Sequence, residues 1–479
     1  MASEQCMNLW AVEPEMILAG VALALVPVAG FARGRWRAIP TLAALVGLIA
    51  ALAVTAHLWT TPPVAAFCNT WAVDRFATFY QLLLEFAALI TVLMLASHFD
   101  DRPQMAHAPV LVLFATVGGM GLVASLDLGL IILFLQMVSL PSYLLVGLQR
   151  SEPRAQEATL KYFLYGAAAL SIMAYGLTFL YGLTGDLSLR DIGSELRSAD
   201  PVWSAVDFGL VLVGYAFEAT LVPFHFWAPD AYEGANAPAA GFISVVPKIA
   251  AFGGLLRLLI EALPGSQAHW PWVIAILAAI TMTLGNLAAL RQKRLKRLLA
   301  YSSTAQAGYV SIAVAAALRS QSAIAAVGYY LAAYLLMNLG AFLVAAQLER
   351  ALGTDDLYAL RGLGRSSPWP ATAMTVCLLS LAGIPPLAGF AGKVLLLSAA
   401  LDAGLVWLAV LAAVNMAIGL FYYARVAASI YFETPAHDGC LAAGLGYAGG
   451  LALSVAGTLI AGILPNVVVP ASIAARLLR

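Results

Sequence analysis

The chain has 479 residues, of which 62% are hydrophobic and only 10% charged, and its formal net charge is zero. A soluble globular protein carries about a quarter charged residues. The composition therefore indicates a protein that crosses the membrane many times, and it excludes an ordinary soluble enzyme. The balanced charge argues against nucleic acid as a partner, so we expect the lipid bilayer to be the main environment of the chain.

Apolar runs long enough to cross a bilayer recur along the whole chain, with no soluble domain between them. The first run follows Glu4, Glu13 and Glu15 with no basic stretch before it, so we predict a retained span and not a cleaved signal. The pattern predicts an all-α polytopic membrane protein. Its fourteen predicted spans lie near residues 15–32, 39–59, 77–97, 108–125, 128–149, 158–184, 204–229, 237–260, 270–290, 297–318, 322–348, 369–400, 404–432 and 442–464.

The distribution of basic residues predicts the orientation. If residues 33–37 are cytoplasmic, sixteen Lys and Arg residues fall on that side and seven on the other, and Lys248 and Lys393 lie within spans. An excess of Lys and Arg marks the cytoplasmic side of a membrane protein. We therefore predict that both termini are periplasmic.

Two predicted spans are interrupted. The helix in 214–248 should break near residues 221–223, because proline removes a backbone donor and clashes with the preceding turn; the second break falls in 382–393. The interrupted spans, seven and twelve, lie in two five-span blocks, which predicts two inverted repeats of the transporter type. The predicted domains are three N-terminal helices (1–107), repeat one (108–260), repeat two (270–432) and a C-terminal helix (433–479).

Five ionisable side chains lie within or beside the predicted spans: Glu85, Glu218, His225, Lys248 and Lys393. Charged groups at membrane depth are costly, so they point first to an ion pathway. A proton relay is feasible because burial disfavours the charged form and a nearby opposite charge restores it. The alternatives are a structural ion pair for Glu218 and Lys248, and packing at the helix break for His225. For Glu85, a protein-facing structural role or a contact with a neighbouring subunit is the alternative.

Uncharged polar and sulfur-containing side chains add little specificity. Polar residues inside spans could order water along a path, but hydrogen bonding between helices is the simpler interpretation for each of them. The cysteines show no CxxC pair, so we expect small packing residues and no metal or cluster. The residues concerned are Gln136, Ser139, Ser302, Ser303, Thr304 and Gln306, and Cys6, Cys68, Cys377 and Cys440.

Six motifs resemble one family: EATLKYFLYGA (157–167), VPFHFWAPDAYEGA (222–235), SVVPKIA (244–250), LKRLLAYSS (295–303), GIPPLAGFAGK (383–393) and FYYARV (421–426). Together they are similar to the N-type antiporter-like membrane subunits of bacterial respiratory complex I, the NADH:quinone oxidoreductase. The wording VPFHFWAPD favours the N type over the related M and L types.

The resemblance implies a fourteen-helix fold with two inverted five-helix repeats and discontinuous helices seven and twelve. It implies that quinone reduction elsewhere in the complex drives proton translocation here, in the bacterial inner (plasma) membrane. No redox centre is implied in this chain; NAD, FMN, iron–sulfur clusters and quinone belong to partner subunits. The implied neighbours are an M-type antiporter-like subunit and a K-type small subunit.

The chain departs from the family pattern at three relay positions. Gln136 stands where a glutamate is usual, Glu218 where a lysine is usual, and Gln306 where a histidine is common. Lys248 and Lys393 match the pattern. Since glutamine does not ionise, Gln136 and Gln306 cannot relay protons; Glu218 beside Lys248, or Glu85, would have to supply the missing carboxylate.

Three functions remain open at this point. The first is a proton-translocating subunit of complex I that uses Glu218, Lys248 and Lys393. The second is a scaffold subunit that no longer pumps, which the lost glutamate and lysine favour. The third is a cation/proton antiporter of the Mrp type, which shares the fold.

Overall fold

Helices form nearly all of the protein. The computed structural model describes residues 8–31, 34–98, 103–196, 200–263, 270–436, 440–441 and 444–468. In these ranges the α-helices are α1 Glu13–Phe31, α2 Ala38–Leu58, α3 Arg75–Ser97, α4 Ala108–Ala124, α5 Leu128–Val146, α6 Pro153–Thr184, α7 Leu189–Glu195, α8 Pro201–Glu218, α9 Trp227–Gly234, α10 Ala237–Ala262, α11 Trp270–Ala289, α12 Leu295–Ala316, α13 Ala323–Leu352, α14 Leu363–Ser366, α15 Pro368–Ala382, α16 Ala388–Asp402, α17 Val406–Phe432 and α18 Leu445–Ile463.

The membrane-spanning character of the chain is confirmed. Within the described ranges, eleven helices are long and apolar enough to cross a membrane. The other predicted spans correspond to α8 with α9, to α12, and to α15 with α16. Two of these are shortened by a break, and α12 is diluted by Ser302, Ser303, Thr304 and Gln306. The count of fourteen spans therefore stays a prediction.

Short polar residues set the starts of the helices. The carboxylate of Asp74 accepts a hydrogen bond from Ala77 N at 2.7 Å and caps α3, and Asp127 caps α5 in the same way. Asn236 accepts from Ala239 N at 2.9 Å and starts α10. Such side chains replace the missing intrahelical acceptors of the first turn. Glycines in the left-handed conformation, Gly185 and Gly353, end α6 and α13.

The core of the fold surrounds α10 and α13. Of their most apolar windows, 94% and 89% are buried, against 33% for α1. Glycines allow α11 and α12 to approach each other closely. A Cβ on Gly285 of α11 would lie 2.6 Å from the backbone of α12, and a Cβ on Gly308 of α12 would lie 2.5 Å from the backbone of α11. Small residues are how helices approach in membranes, where lipid gives no hydrophobic drive for association. Among the eleven described spans, the helix bearing Lys248 is the most enclosed.

A small hairpin precedes α3. Strands β1 Val64–Ala66 and β2 Trp71–Val73 pair antiparallel with Ala65 opposite Ala72. The connecting turn contains Cys68, which is disulfide-bonded. The expectation that the cysteines are only packing residues is therefore wrong for Cys68, because pairing depends on proximity in space that spacing does not reveal. Cys377 is free and buried, Cys440 is free and exposed, and Cys6 lies outside the described residues.

Candidate functional site

The first interrupted span ends and restarts around a tight turn. Helix α8 ends at Glu218, three residues before the predicted break, and α9 begins at Trp227. Thr220 has a φ of 59°, and Leu221 N donates to Ala216 O at 2.7 Å, which closes the helix end. The next amide, Val222 N, donates to Thr281 Oγ1 of α11 at 3.0 Å. A side chain of a neighbouring helix thus receives one of the freed amides, as a break at membrane depth requires.

The second interrupted span ends with the same turn. Helix α15 ends at Ala382, Gly383 has a φ of 91°, and Ile384 N donates to Leu379 O at 3.1 Å. In both breaks the amide one residue past the left-handed position bonds five residues back. The two breaks also carry cis-proline three residues beyond that position, at Pro223 and Pro386. The local geometry of the two interruptions therefore matches.

Lys393 occupies the exposed carbonyl end of α15. Its Nζ donates to Leu381 O at 2.8 Å and to Ala382 O at 3.0 Å, and it lies 4.7 Å from the ring centre of Tyr309. The last carbonyls of a helix lack intrahelical partners and carry partial negative charge, so a cation is favoured there. Lys393 is 3% exposed. It is held by the break itself and not by an acidic side chain.

Gln306 extends the polar contacts of Lys393. Its Nε2 donates to Leu381 O, the carbonyl that Lys393 also contacts, at 3.1 Å and to the hydroxyl of Tyr423 at 3.1 Å. The hydroxyl of Tyr330 donates to Gln306 Oε1, and Tyr423 is hydrogen-bonded to Ser302. Gln306 therefore has a hydrogen-bonding role at the position where the family pattern leads us to expect histidine.

Lys248 begins a chain of hydroxyl groups. Its Nζ donates to the hydroxyl of Tyr232 at 3.2 Å, and that oxygen lies 3.4 Å from Ser303 Oγ. Ser303 Oγ lies 2.7 Å from the hydroxyl of Tyr334, which donates to Ser244 O at 3.1 Å. With each hydroxyl donating to the next oxygen, all the bonds point the same way. Lys248 is 1% exposed, and Tyr232 is the hydrogen-bond acceptor that its Nζ contacts in the described structure.

Glu218 faces the same interior from the end of α8. It is 1% exposed and accepts a hydrogen bond from Ser139 of α5, while its Oε2 is buried and has no hydrogen-bond partner. Glu218 and Lys248 interact electrostatically. Among the described ion pairs, however, none within 4.0 Å joins them. Glu218 and Lys248 therefore interact as separated groups and do not form a direct salt bridge.

The remaining predicted residues lie apart from these contacts. Gln136 is half-buried on α5, one turn before Ser139. His225 is half-buried beside Phe226, with ring centres 4.6 Å apart, and its Nδ1 has no hydrogen-bond partner in the described structure. Glu85 is fully buried on α3 and accepts a hydrogen bond from Thr55 of α2 at 2.8 Å, so it contacts a neighbouring helix of the same chain.

A cluster of charged side chains fixes α9, the second half of the interrupted span. Asp230 contacts Lys161 of α6 at 2.8 Å and Arg297 of α12 at 2.8 Å, and Glu233 contacts Arg297 at 2.8 Å. Arg294 contacts both Glu233 and Asp355. Burial raises the pKa of Asp355 even though the guanidinium of Arg294 lies beside it. The ion pairs hold the segment that positions Tyr232 under Lys248.

The aromatic hydroxyl groups in the site were not predicted from the sequence. Tyr232, Tyr330, Tyr334 and Tyr423 are all buried and all hydrogen-bonded to polar side chains or carbonyls. A tyrosine inside an apolar span is usually a packing residue with a polar tip. Two features of the sequence could have indicated these groups. Tyr232 and Tyr423 lie in motifs that resemble the family, and Ser302 and Ser303 are adjacent on α12.

Comparison with known proteins identifies the family. A family model described as NADH:quinone oxidoreductase/Mrp antiporter, TM, matches residues 125–419. The NADH-quinone oxidoreductase subunit N of Trichlorobacter lovleyi is 37% identical over 473 residues, which cover 97% of this chain and 96% of that relative. The chain belongs to this family of N subunits. The resemblance predicted from the motifs is therefore confirmed.

Solved structures agree with membership of the N-subunit family. A chain of respiratory complex I from Thermus thermophilus with bound aureothin has a TM-score of 0.83 and 35% identity, covering 96% of this chain and 99% of that chain. A chain of the Mrp complex from a Dietzia species has a TM-score of 0.86 at 24% identity, covering 98% and 97%. The second likeness shows a shared fold alone.

Proposed function

We propose that this chain is a membrane-arm subunit of a proton-translocating NADH:quinone oxidoreductase, and that Lys248, Lys393 and Glu218 carry protons through it. The observation that carries the proposal is the placement of Lys393, whose ammonium group binds the free carbonyl end of an interrupted helix. A cation held by dipoles alone can lose its proton without leaving a buried carboxylate unpaired. Lys393 can therefore alternate between charged and neutral forms.

The path that we propose runs between the two lysines. Lys248 donates into the hydroxyl chain through Tyr232 and Ser303, and Lys393 lies beside the Gln306–Tyr423 group. Adjacent residues of α12, Ser302 and Ser303, belong one to each network. Hydrogen-bonded hydroxyls can accept and donate a proton in turn. Helix α12 is thus the element through which the two halves of the pathway communicate.

We also propose an architecture of fourteen spans with two inverted five-helix repeats, formed by α4–α10 and by α11–α17. The matched turns at Thr220 and Gly383 support this repeat. The chemistry of electron transfer would reside in partner subunits that hold NAD, FMN, iron–sulfur clusters and quinone. An M-type antiporter-like subunit and a K-type small subunit are the neighbours that we propose.

The proposed orientation places both termini in the periplasm and the chain in the bacterial inner membrane. The excess of Lys and Arg on the opposite side supports it. The disulfide-bonded Cys68 lies in the connector between α2 and α3, on the side assigned to the periplasm. Disulfides persist in oxidising compartments and are rare in the cytosol.

A scaffold function is the second candidate, and Gln136 and Gln306 favour it, because neither side chain ionises. Replacing Lys393 by methionine in the assembled complex distinguishes the two functions. If Lys393 carries protons, transfer through this subunit should slow by about 10²- to 10⁴-fold, the usual contribution of a positioned acid–base group. The ratio of protons translocated to electrons transferred, measured in vesicles, should then fall.

The matched control for this experiment is Lys293→Met, which removes an exposed lysine from the connector between α11 and α12. It should leave the ratio unchanged. An unchanged ratio in the Lys393→Met complex, with normal assembly, would instead support the scaffold function. Sodium/proton exchange by the isolated chain in vesicles would favour an Mrp-type antiporter.

The hydroxyl chain makes a separate prediction. Tyr232→Phe removes the oxygen that joins Lys248 to Ser303 and preserves the ring that packs near Trp227. We expect a stability loss of about 1 kcal/mol together with a clear drop in proton translocation. Tyr358→Phe is the control, since Tyr358 is exposed and its ring packs on Arg361. Equal translocation by both variants would show that protons bypass Tyr232.

A further inference from the structure

A second group of buried acids lies in the N-terminal helices, apart from both interrupted spans. Glu15 belongs to the first turn of α1 and Glu85 to the middle of α3. Their side chains are 6% and 0% exposed. The sequence pattern places Glu15 at the start of the first apolar run and Glu85 within the third predicted span. The structure brings the two carboxyl groups close enough to interact electrostatically.

Neutral donors hold one oxygen of each carboxyl group. Gln81 Nε2 donates to Glu15 Oε1 at 2.6 Å, and Thr55 Oγ1 donates to Glu85 Oε1 at 2.8 Å. Gln81 and Glu85 are four residues apart on α3 and so share a face. The second oxygen, Oε2, is buried in both residues and has no hydrogen-bond partner in the described part of the chain.

The cations on the surrounding helices are either exposed or bound to other groups. Among the described residues no ion pair involves Glu15 or Glu85, and helix α4 carries no ionisable side chain. On the other helices that pack against α1 and α3, His57 and Arg350 are exposed, Lys248 binds Tyr232, and Arg257 binds Asp74. The acids Glu261 and Glu349 pair with Arg190 and Lys296. Among the tyrosines, Tyr447 binds His98, Tyr330 binds Gln306, and Tyr329 and Tyr334 bind backbone carbonyls. The Tyr80 hydroxyl on α3 is buried.

We propose that Glu15 and Glu85 form a proton-binding site within α1, α2 and α3. A buried carboxylate without a cation is strongly disfavoured, and two neighbouring carboxylates disfavour each other further. Binding a proton removes one charge and turns an oxygen that lacks a partner into a donor. Two carboxyl groups and neutral donors are too few oxygen ligands for a metal cation of the hard type.

The site extends inward from the end of a helix. Glu15 lies in the first turn of α1, whereas Glu85 lies ten residues beyond the start of α3, which is about 15 Å along the helix. Glu15 accepts from Gln81, four residues before Glu85, so a proton bound at Glu15 is about 6 Å nearer to the start of α3 than one bound at Glu85. The site could exchange protons with the surface independently of the Lys248 and Lys393 pathway, so the proposal does not rest on translocation by those lysines.

Infrared difference spectroscopy of the assembled complex tests the site, because a protonated carboxyl group has a carbonyl-stretch band that a carboxylate lacks. At neutral pH the spectrum of the wild-type complex should contain such a band. The double variant with Glu15→Gln and Glu85→Gln should lack it. The exposed Glu13, two residues from Glu15 on the same helix, provides the control, and Glu13→Gln should leave the band intact. Identical spectra of the wild type and the double variant would overturn the proposal.

A milder variant covers the case in which the double variant does not assemble. Thr55→Val preserves shape and both carboxyl groups but deletes the donor to Glu85. The band of the protonated acid should shift to higher frequency when that hydrogen bond is lost, and an unshifted band would count against Glu85 as the proton carrier. Loss of the wild-type band on adding sodium at constant pH would overturn the proposal in favour of cation binding.

Discussion

Replacing Arg257 by methionine is expected to destabilise the chain by about 3–5 kcal/mol, because the change leaves the Asp74 carboxylate buried without its guanidinium partner. Arg257 Nη1 and Nη2 lie 3.1 Å and 2.9 Å from the two oxygens of Asp74, and Arg257 Nε donates to Val123 O at 2.6 Å. Both side chains are 1% exposed. The contact joins α10 to the start of α3 and to the end of α4. The temperature at which the purified complex loses this subunit should fall markedly.

Two variants separate the loss of the partner from the loss of the arginine itself. Arg361→Met removes a surface pair with Glu433, in which both side chains are about half exposed, and should cost at most about 1 kcal/mol. Asp74→Asn combined with Arg257→Met removes both charges and preserves the side-chain cap of α3. This double variant should recover part of the stability that Arg257→Met loses. A double variant less stable than the single one would contradict the argument from unpaired charge.

The parts of the fold that the sequence predicts are those that local chemistry determines. Apolar runs gave the helices, because each spanning segment must satisfy its own backbone hydrogen bonds. The prolines at 223 and 386 gave the two interruptions, since the missing amide and the ring clash act within one turn. The helix nevertheless ends at Glu218, before the predicted break, because the left-handed Thr220 closes it first.

The contacts between helices were beyond the sequence pattern. A span that is apolar on all sides has no polar face to show which side points inward. The burial of Glu15 and Arg257, and the joining of Tyr232 to Ser303, depend on how the helices rotate against one another. Pairing of Cys68 is likewise a tertiary property. Lys248 and Lys393 were predictable because a charge in the middle of an apolar run needs no knowledge of its neighbours.

Glu218 has the opposite sign from the residue that the family pattern leads us to expect at its position. It is the last residue of α8, where the helix presents partial negative charge, so a lysine would be favoured there and a carboxylate is not. The carboxyl group is instead held by Ser139 from α5. Lys248 supplies the compensating positive charge at a distance. The acid of the site is thus carried by α8 and not by α5, and the lysine that the family pattern places on α8 is absent.

Glu218→Lys alone should be damaging, whereas Glu218→Lys combined with Gln136→Glu should be tolerated. Glu218→Lys places a second ammonium group near Lys248 with no carboxylate to balance it, and we expect a loss of about 3–5 kcal/mol in stability with loss of proton translocation. Adding Gln136→Glu returns an acid to α5, one turn from Ser139, the residue that holds Glu218. A favourable coupling of about 0.5–3 kcal/mol between the two changes is then expected from a double-mutant cycle.

The measurements are the thermal stability of the assembled complex and its ratio of protons to electrons. Gln136→Glu alone serves as the control, since it adds a half-buried acid beside an intact Glu218 and should itself be destabilising. A double variant as damaged as Glu218→Lys would mean that position 136 does not reach the site. In that case Ser139 and Lys248 alone determine the state of the carboxyl group at 218, and the relay of this chain would be distinct from the one that its family pattern implies.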